Sequence, residues 1–205
     1  LDLSGDTAKA YLGTLLTFAR LDPEVHVRTA AIRGLVDVLL VFTPLFKNTI
    51  LEDGEEDLTR DLMVEAITLM REYAEMRIYE RFSPETLNSI GPDFEAEIEG
   101  LKELRCNAVD GLTRLFFVGR TKRADVMKRL LLLPHSTDTE DLPSIRQTLA
   151  VFLPTFSRLT KSHRFVVAES AMGALEEIAF PTGGATYDGV KVETVGKYLL
   201  FLLGD

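Results

Sequence analysis

Leu104-Arg105-Cys106-Asn107-Ala108-Val109-Asp110-Gly111-Leu112 occurs twice in this chain. The other copy is Val27-Arg28-Thr29-Ala30-Ala31-Ile32-Arg33-Gly34-Leu35, and a looser third is Ile145-Arg146-Gln147-Thr148-Leu149-Ala150-Val151-Phe152-Leu153. The two close copies read aliphatic, Arg, two variable residues, Ala, aliphatic, charged residue, Gly, Leu. Their apolar positions fall at i, i+4, i+5 and i+8, which lines one face of a helix. Small residues at Ala31, Gly34, Ala108 and Gly111 would let a neighbouring helix come close. A helix with a fixed Arg, recurring tens of residues apart, is the mark of a repeat array, so the expected fold is all-α, a HEAT-repeat α-solenoid of stacked antiparallel helix pairs.

The copies set the organisation. Arg28 to Arg105 is 77 positions and Arg105 to Arg146 is 41; a repeat of this class takes about 40–47 residues. The second interval fits directly, and the first reads as one repeat enlarged by its connections. Residues 1–205 are therefore expected to form a single solenoid fragment, with repeats at about 6–46, 58–119 and 121–160 and terminal helices at 162–204.

Upstream of the first copy, Asp6 can cap a helix from Thr7 to about Arg20, with Ala10, Leu12, Leu15, Leu16 and Phe18 available to a core. Asp22-Pro23-Glu24 places an N-cap acid and an N1 proline before a second helix that runs to about Phe42, closed by Thr43-Pro44. Residues 47–57 hold Glu52-Asp53-Gly54-Glu55-Glu56-Asp57, whose mutual repulsion predicts a surface loop. A long helix is expected from Leu58 to about Glu80, then an irregular 81–97 connection with a short helix at Pro84–Ser89. The second marker helix should span Phe94 to Val118, stopped by Gly119. Further helices are read at Lys122–Leu133, Pro143–Leu159 (kinked or shortened by Pro154), Ser162–Phe180 and Val192–Leu203, with a break at Pro181-Thr182-Gly183-Gly184.

Composition narrows the function. No apolar run approaches the roughly 20 residues of a membrane helix, and no membrane partner is expected. The opening residues lack a signal-peptide pattern. Without an initiator Met, the chain reads as a fragment. One cysteine, Cys106, forbids an internal disulfide and suits a cytosolic or nuclear compartment. The net charge of −9 is uneven: residues 1–100 carry 9 basic against 20 acidic side chains, residues 101–164 carry 12 against 6. An acidic front and a basic middle imply separate partners rather than one polyanion-binding surface.

His26, His135 and His163 lie far apart without ligand spacing, Gly183-Gly184 lacks a phosphate-loop pattern, and no nucleophile elbow is present. No enzyme chemistry and no cofactor are read. Arg28, Arg105 and Arg146 are either cations lining a surface or a structural ladder. In the ladder each Arg would bond an acid or a carbonyl of the neighbouring turn, and the acids upstream, Asp22, Glu99 and Asp141, favour it. Arg120, Lys122, Arg123, Lys128 and Arg129, with Asp125 among them, are either a solvated face or a contact for nucleic-acid phosphates.

The second and third copies, the run Leu130-Leu131-Leu132-Leu133, and Phe152-Leu153-Pro154-Thr155-Phe156 resemble the C-terminal HEAT region of the condensin CAP-G subunit family (condensin subunit 3). Val27 through Phe42 resembles a further helix of that region, so the similarity covers most of 22–180. The resemblance implies a non-enzymatic subunit held by the kleisin subunit, CAP-H, and through the complex by SMC subunits. It further implies a role with other repeats in gripping double-stranded DNA during mitotic chromosome condensation. The implied location is nucleus and chromosomes, with cytoplasm in part of the cell cycle. A HEAT or armadillo-like adaptor that reads peptide segments in transport or signalling is the other reading.

Overall fold

The computed structural model describes residues 5–41, 58–82, 91–180, 187 and 189–204. Among them are eight α-helices and no strand: α1 (Gly5–Leu21), α2 (Val25–Val41), α3 (Leu58–Ala74), α4 (Pro92–Phe117), α5 (Ala124–Leu132), α6 (Pro143–Leu159), α7 (Lys161–Ala179) and α8 (Val192–Leu203). The fold is all-α and of the helical-repeat solenoid class. The 47–57 acidic loop, the Thr43-Pro44 stop, the 84–89 helix and the 181–184 break lie outside the described residues, as does the Asp6 side chain.

The chain divides into two compact units, residues 1–120 and 121–205. In the first, α1 packs on α2, α3 packs on α4, and the two pairs meet mainly through α2 against α4. Those are the two helices that carry the close sequence copies, so like packs on like, as successive repeats require. Ala8, Leu12, Leu16 and Ala19 of α1, Ile32, Leu35 and Leu39 of α2, and Leu104, Ala108 and Leu112 of α4 are all buried, with α2 lying against both α1 and α4. Phe18 and Ala10 point outward instead of joining it. In the second unit α5 packs on α7, and α8 lies against both α6 and α7.

Several boundaries move for identifiable reasons. α2 begins at Val25, because the Arg28 N–H takes the Glu24 carbonyl as the first helical bond while Asp22 Oδ1 accepts from the Glu24 N–H at 2.9 Å. Glu24 is thus the capping position and Asp22 shapes the turn before it. α3 stops at Ala74 rather than near Glu80, and a single 3₁₀ turn follows at Tyr79–Arg81. Met76 and Ile78 turn inward there and are buried. α4 begins with Gly91 as N-cap and Pro92 at the first position. It ends with Gly119 at φ +69°, where the Gly119 N–H bonds the Phe116 carbonyl and the Arg120 N–H the Leu115 carbonyl. That is a Schellman closure, which needs the left-handed conformation glycine adopts freely. α5 starts at Ala124 and passes into a 3₁₀ turn at Leu133–His135. α6 continues through Pro154 to Leu159.

Candidate nucleic-acid interface

The five cations of the basic middle are mostly occupied by their own fold. Arg120, in the first unit, donates from Nε to the Leu39 carbonyl and from Nη2 to the Leu40 carbonyl, both at 3.1 Å. These lie in the last turn of α2, where orphan carbonyls and the negative end of the helix dipole favour a cation. In the second unit, Arg123 grips the Asp125 carboxylate through Nε at 3.0 Å and Nη2 at 2.6 Å. Lys128 and Arg129, adjacent on α5, both reach Glu177 of α7, Lys128 Nζ at 2.8 Å. Lys122 is exposed.

Glu177 is the residue that sequence reading did not single out. Its side chain is 16% exposed, those of Lys128 and Arg129 26% and 29%. The one available signal is Gly173, a turn earlier on α7, whose missing side chain admits the Lys128 stem; a Cβ there would stand 3.2 Å from Lys128 Cδ. Burial by itself would raise the Glu177 pKa, but the Lys128 hydrogen bond and the Arg129 charge outweigh it and hold the carboxyl below its ordinary value. A group so depressed contributes its full stabilisation above the ordinary carboxylate range and loses it as pH falls through the lowered value. Glu177→Gln is therefore expected to lower stability by about 1–2 kcal/mol at neutral pH, the scale of a partly buried charge-assisted pair. Urea melts of wild type and variant should converge as pH drops below the carboxylate range. A pH-independent difference would show that Glu177 acts through packing alone.

The repeat arginines divide. Arg105 is fully buried, and its Nε donates to the Ala74 carbonyl at 2.9 Å. Arg146 donates from Nε to the Thr139 hydroxyl at 3.2 Å and from Nη2 to the Ser136 carbonyl at 3.1 Å. Both close the end of the helical segment before them, as a ladder residue would, on carbonyl and hydroxyl oxygens. Glu99 pairs with Lys102 at 3.1 Å, and Asp22 is committed to its own turn. Arg28 makes neither kind of bond: its Nε is buried without an acceptor. Near Arg146, burial and then the Arg146 charge lower the His135 pKa, and the ring stands edge-on to Tyr198 with centroids 5.5 Å apart.

Among the described residues, no group of three or more His, Cys, Asp or Glu side chains is arranged to hold a metal ion. Nor is any helix among them long and apolar enough to cross a membrane. On the surface between α2 and α4, Arg33 bridges to Glu103 at 2.6 Å and to Asn107 Oδ1 at 2.7 Å. The charged position of the first copy thus braces the second.

Comparison with known proteins places this arrangement. Condensin complex subunit 3 of Xenopus laevis is 26% identical over 209 residues, covering 96% of this chain and 20% of that protein. Condensin complex subunit 3 of Homo sapiens is 22% identical over 200 residues, covering 96% of this chain and 19% of its own length. The chain thus spans about a fifth of the length of these relatives. The family model for nuclear condensing complex subunits, C-terminal domain (Cnd3), matches residues 3–204, and the chain belongs to that family.

Proposed function

We propose that this chain is a HEAT-repeat segment of a condensin subunit that works with the kleisin subunit, and through it the SMC subunits, in binding double-stranded DNA during chromosome condensation. The observation that carries the reading is the family match over residues 3–204, on a chain whose two close repeat helices pack on each other within the first unit. The chemistry proposed is that of a scaffold, without turnover. Its place of action would be the nucleus and chromosomes, with cytoplasm for part of the cell cycle.

The geometry sharpens the share of DNA binding that this segment would supply. Arg120, Arg123, Lys128 and Arg129 hold internal partners, so a phosphate must compete with a carbonyl or carboxylate already at hydrogen-bond distance. Lys122 is exposed, and a compact ammonium on a flexible stem meets a phosphate at small cost. Each neutralised phosphate adds about 0.9 to the salt slope of duplex affinity. In the complete subunit–kleisin complex, Lys122→Glu is expected to flatten that slope by about one unit, with no sequence preference. Pull-down of the kleisin by this chain, with and without duplex, tests the partner; no retention in either condition overturns the reading. An unchanged salt slope would leave Lys122 as a solvated side chain and remove this segment from the DNA contact.

A further inference from the structure

The first unit holds an open cleft of about 620 Å³, lined by residues that include Arg20, Arg28, Arg77 and Arg81. Its floor is apolar, formed by Leu69, Tyr73 and Met76, all buried. Arg28 is the first-copy counterpart of Arg105 and Arg146, and it differs from both. Its guanidinium Nε is out of solvent contact yet has no hydrogen-bond acceptor. A last-turn carbonyl of α1, that of Ala19, accepts the Tyr73 hydroxyl instead. The Asp22 carboxylate is turned to the Glu24 N–H. Buried N–H groups almost always find an acceptor, and the Arg28 Nε–H has none.

We infer that this cleft receives the carboxylate of an aspartate or glutamate side chain from a partner polypeptide, with Arg28 as its donor. The inference stands apart from the condensin reading, since it uses only the cleft and the mismatch between repeat copies. Charge decides the chemical class. Arg20 is paired with Glu65 at 2.8 Å and Arg77 with Glu80 at 2.7 Å, while Glu72, Glu75 and Glu80 also line the cleft. Arg71, just outside the lining, holds Glu75 at 3.7 Å, so once these three pairs are set aside Arg28 and Arg81 face Glu72, which leaves one positive charge to match. A single carboxylate matches it; a dianionic phosphate or a nucleic-acid backbone would meet the three glutamates. The buried Leu69, Tyr73 and Met76 suit an aliphatic residue beside the acid.

The test follows the Arg28 Nε–Hε resonance in the ¹⁵N-labelled chain, assigned by its loss in Arg28→Lys, with the closed Arg105 resonance as internal reference. The probes are a blocked Gly-Leu-Glu-Leu-Gly peptide, its Gln and phosphoserine counterparts, and a short blunt duplex. The Glu peptide should shift Arg28 saturably and leave Arg105 in place. The Gln peptide should bind about tenfold more weakly, the scale of one charge-assisted hydrogen bond. Arg28→Lys should weaken the Glu peptide by a similar factor without moving the melting temperature, because the Nε–H it removes has no acceptor in the fold. An unmoved Arg28 resonance, equal binding of Glu and Gln peptides, or tighter binding of the phosphoserine peptide or the duplex would overturn the assignment.

Discussion

Replacement of Arg105 by alanine is expected to lower the unfolding free energy by about 2–4 kcal/mol, the range for a fully buried, hydrogen-bonded side chain whose removal opens a void. Arg105 is 1% exposed, among the largest fully buried side chains of the chain. Its Nε closes the last carbonyl of α3 at 2.9 Å, so truncation strands an acceptor as well as emptying volume. Arg105→Lys should recover little, because a compact ammonium cannot reproduce the planar guanidinium at that carbonyl. The comparison is internal: Arg28, at the same repeat position, has no acceptor for its Nε, and Arg28→Ala should fall within about 0.5 kcal/mol of wild type. Urea denaturation of the two variants, with unchanged slopes, measures the contrast. Equal losses at Arg28 and Arg105 would mean that the repeat position is structural regardless of its partner.

That contrast also marks where the sequence was informative. The marker helices were visible because Arg, Ala, Gly and Leu recur at fixed spacing, and that spacing sets which face of α2 meets which face of α4. The end of α4 was visible for a local reason, since Gly119 is chemically suited to the left-handed closure it adopts. The end of α3 was not. From Glu75 to Phe82 the sequence carries no glycine or proline, and local propensity would continue the helix. What stops it is tertiary: Arg105, 31 positions away, holds the Ala74 carbonyl, and Met76 and Ile78 bury themselves in place of another helical turn.

Of the two ladder partners the sequence allows, an acid or a carbonyl of the neighbouring turn, Arg105 Nε takes a carbonyl. Every residue has a carbonyl, so the sequence does not mark which one, whereas an acid such as Glu99 is conspicuous. The basic middle shows the same limit. Arg129 and its carboxylate partner Glu177 are 48 positions apart, and a count of charges within one stretch cannot pair them. Arg28 is the reverse case. By motif it belongs with Arg105, and only the folded contacts separate the two, since Arg105 Nε reaches the Ala74 carbonyl and Arg28 Nε reaches no acceptor.

The second large effect is expected at Gly111, where the repeat's small residue does its packing. A Cβ built there would stand 2.4 Å from Val36 Cγ2 and 3.3 Å from Met70 Sδ, so α2, α3 and α4 all converge on the missing side chain. Alanine would gain about 1 kcal/mol of helix propensity. It would also force a β-branched valine, stiff at χ1, out of its rotamer or push the helices apart, which costs about 1–3 kcal/mol. The clash outweighs the propensity gain: Gly111→Ala should be destabilising, and Gly111→Val, with two more methyl groups, by about 3 kcal/mol or more. Gly13 supplies the control. It also lies within a helix, but nothing stands within 4 Å of its Cβ position, so Gly13→Ala should stabilise by up to about 1 kcal/mol. Adding Val36→Ala to Gly111→Ala should return part of the loss, a coupling that contacting residues show and distant ones do not. If Gly111→Ala proves as favourable as Gly13→Ala, the two marker helices do not require glycine at their crossing. The recurrence of Gly in both copies would then need another cause.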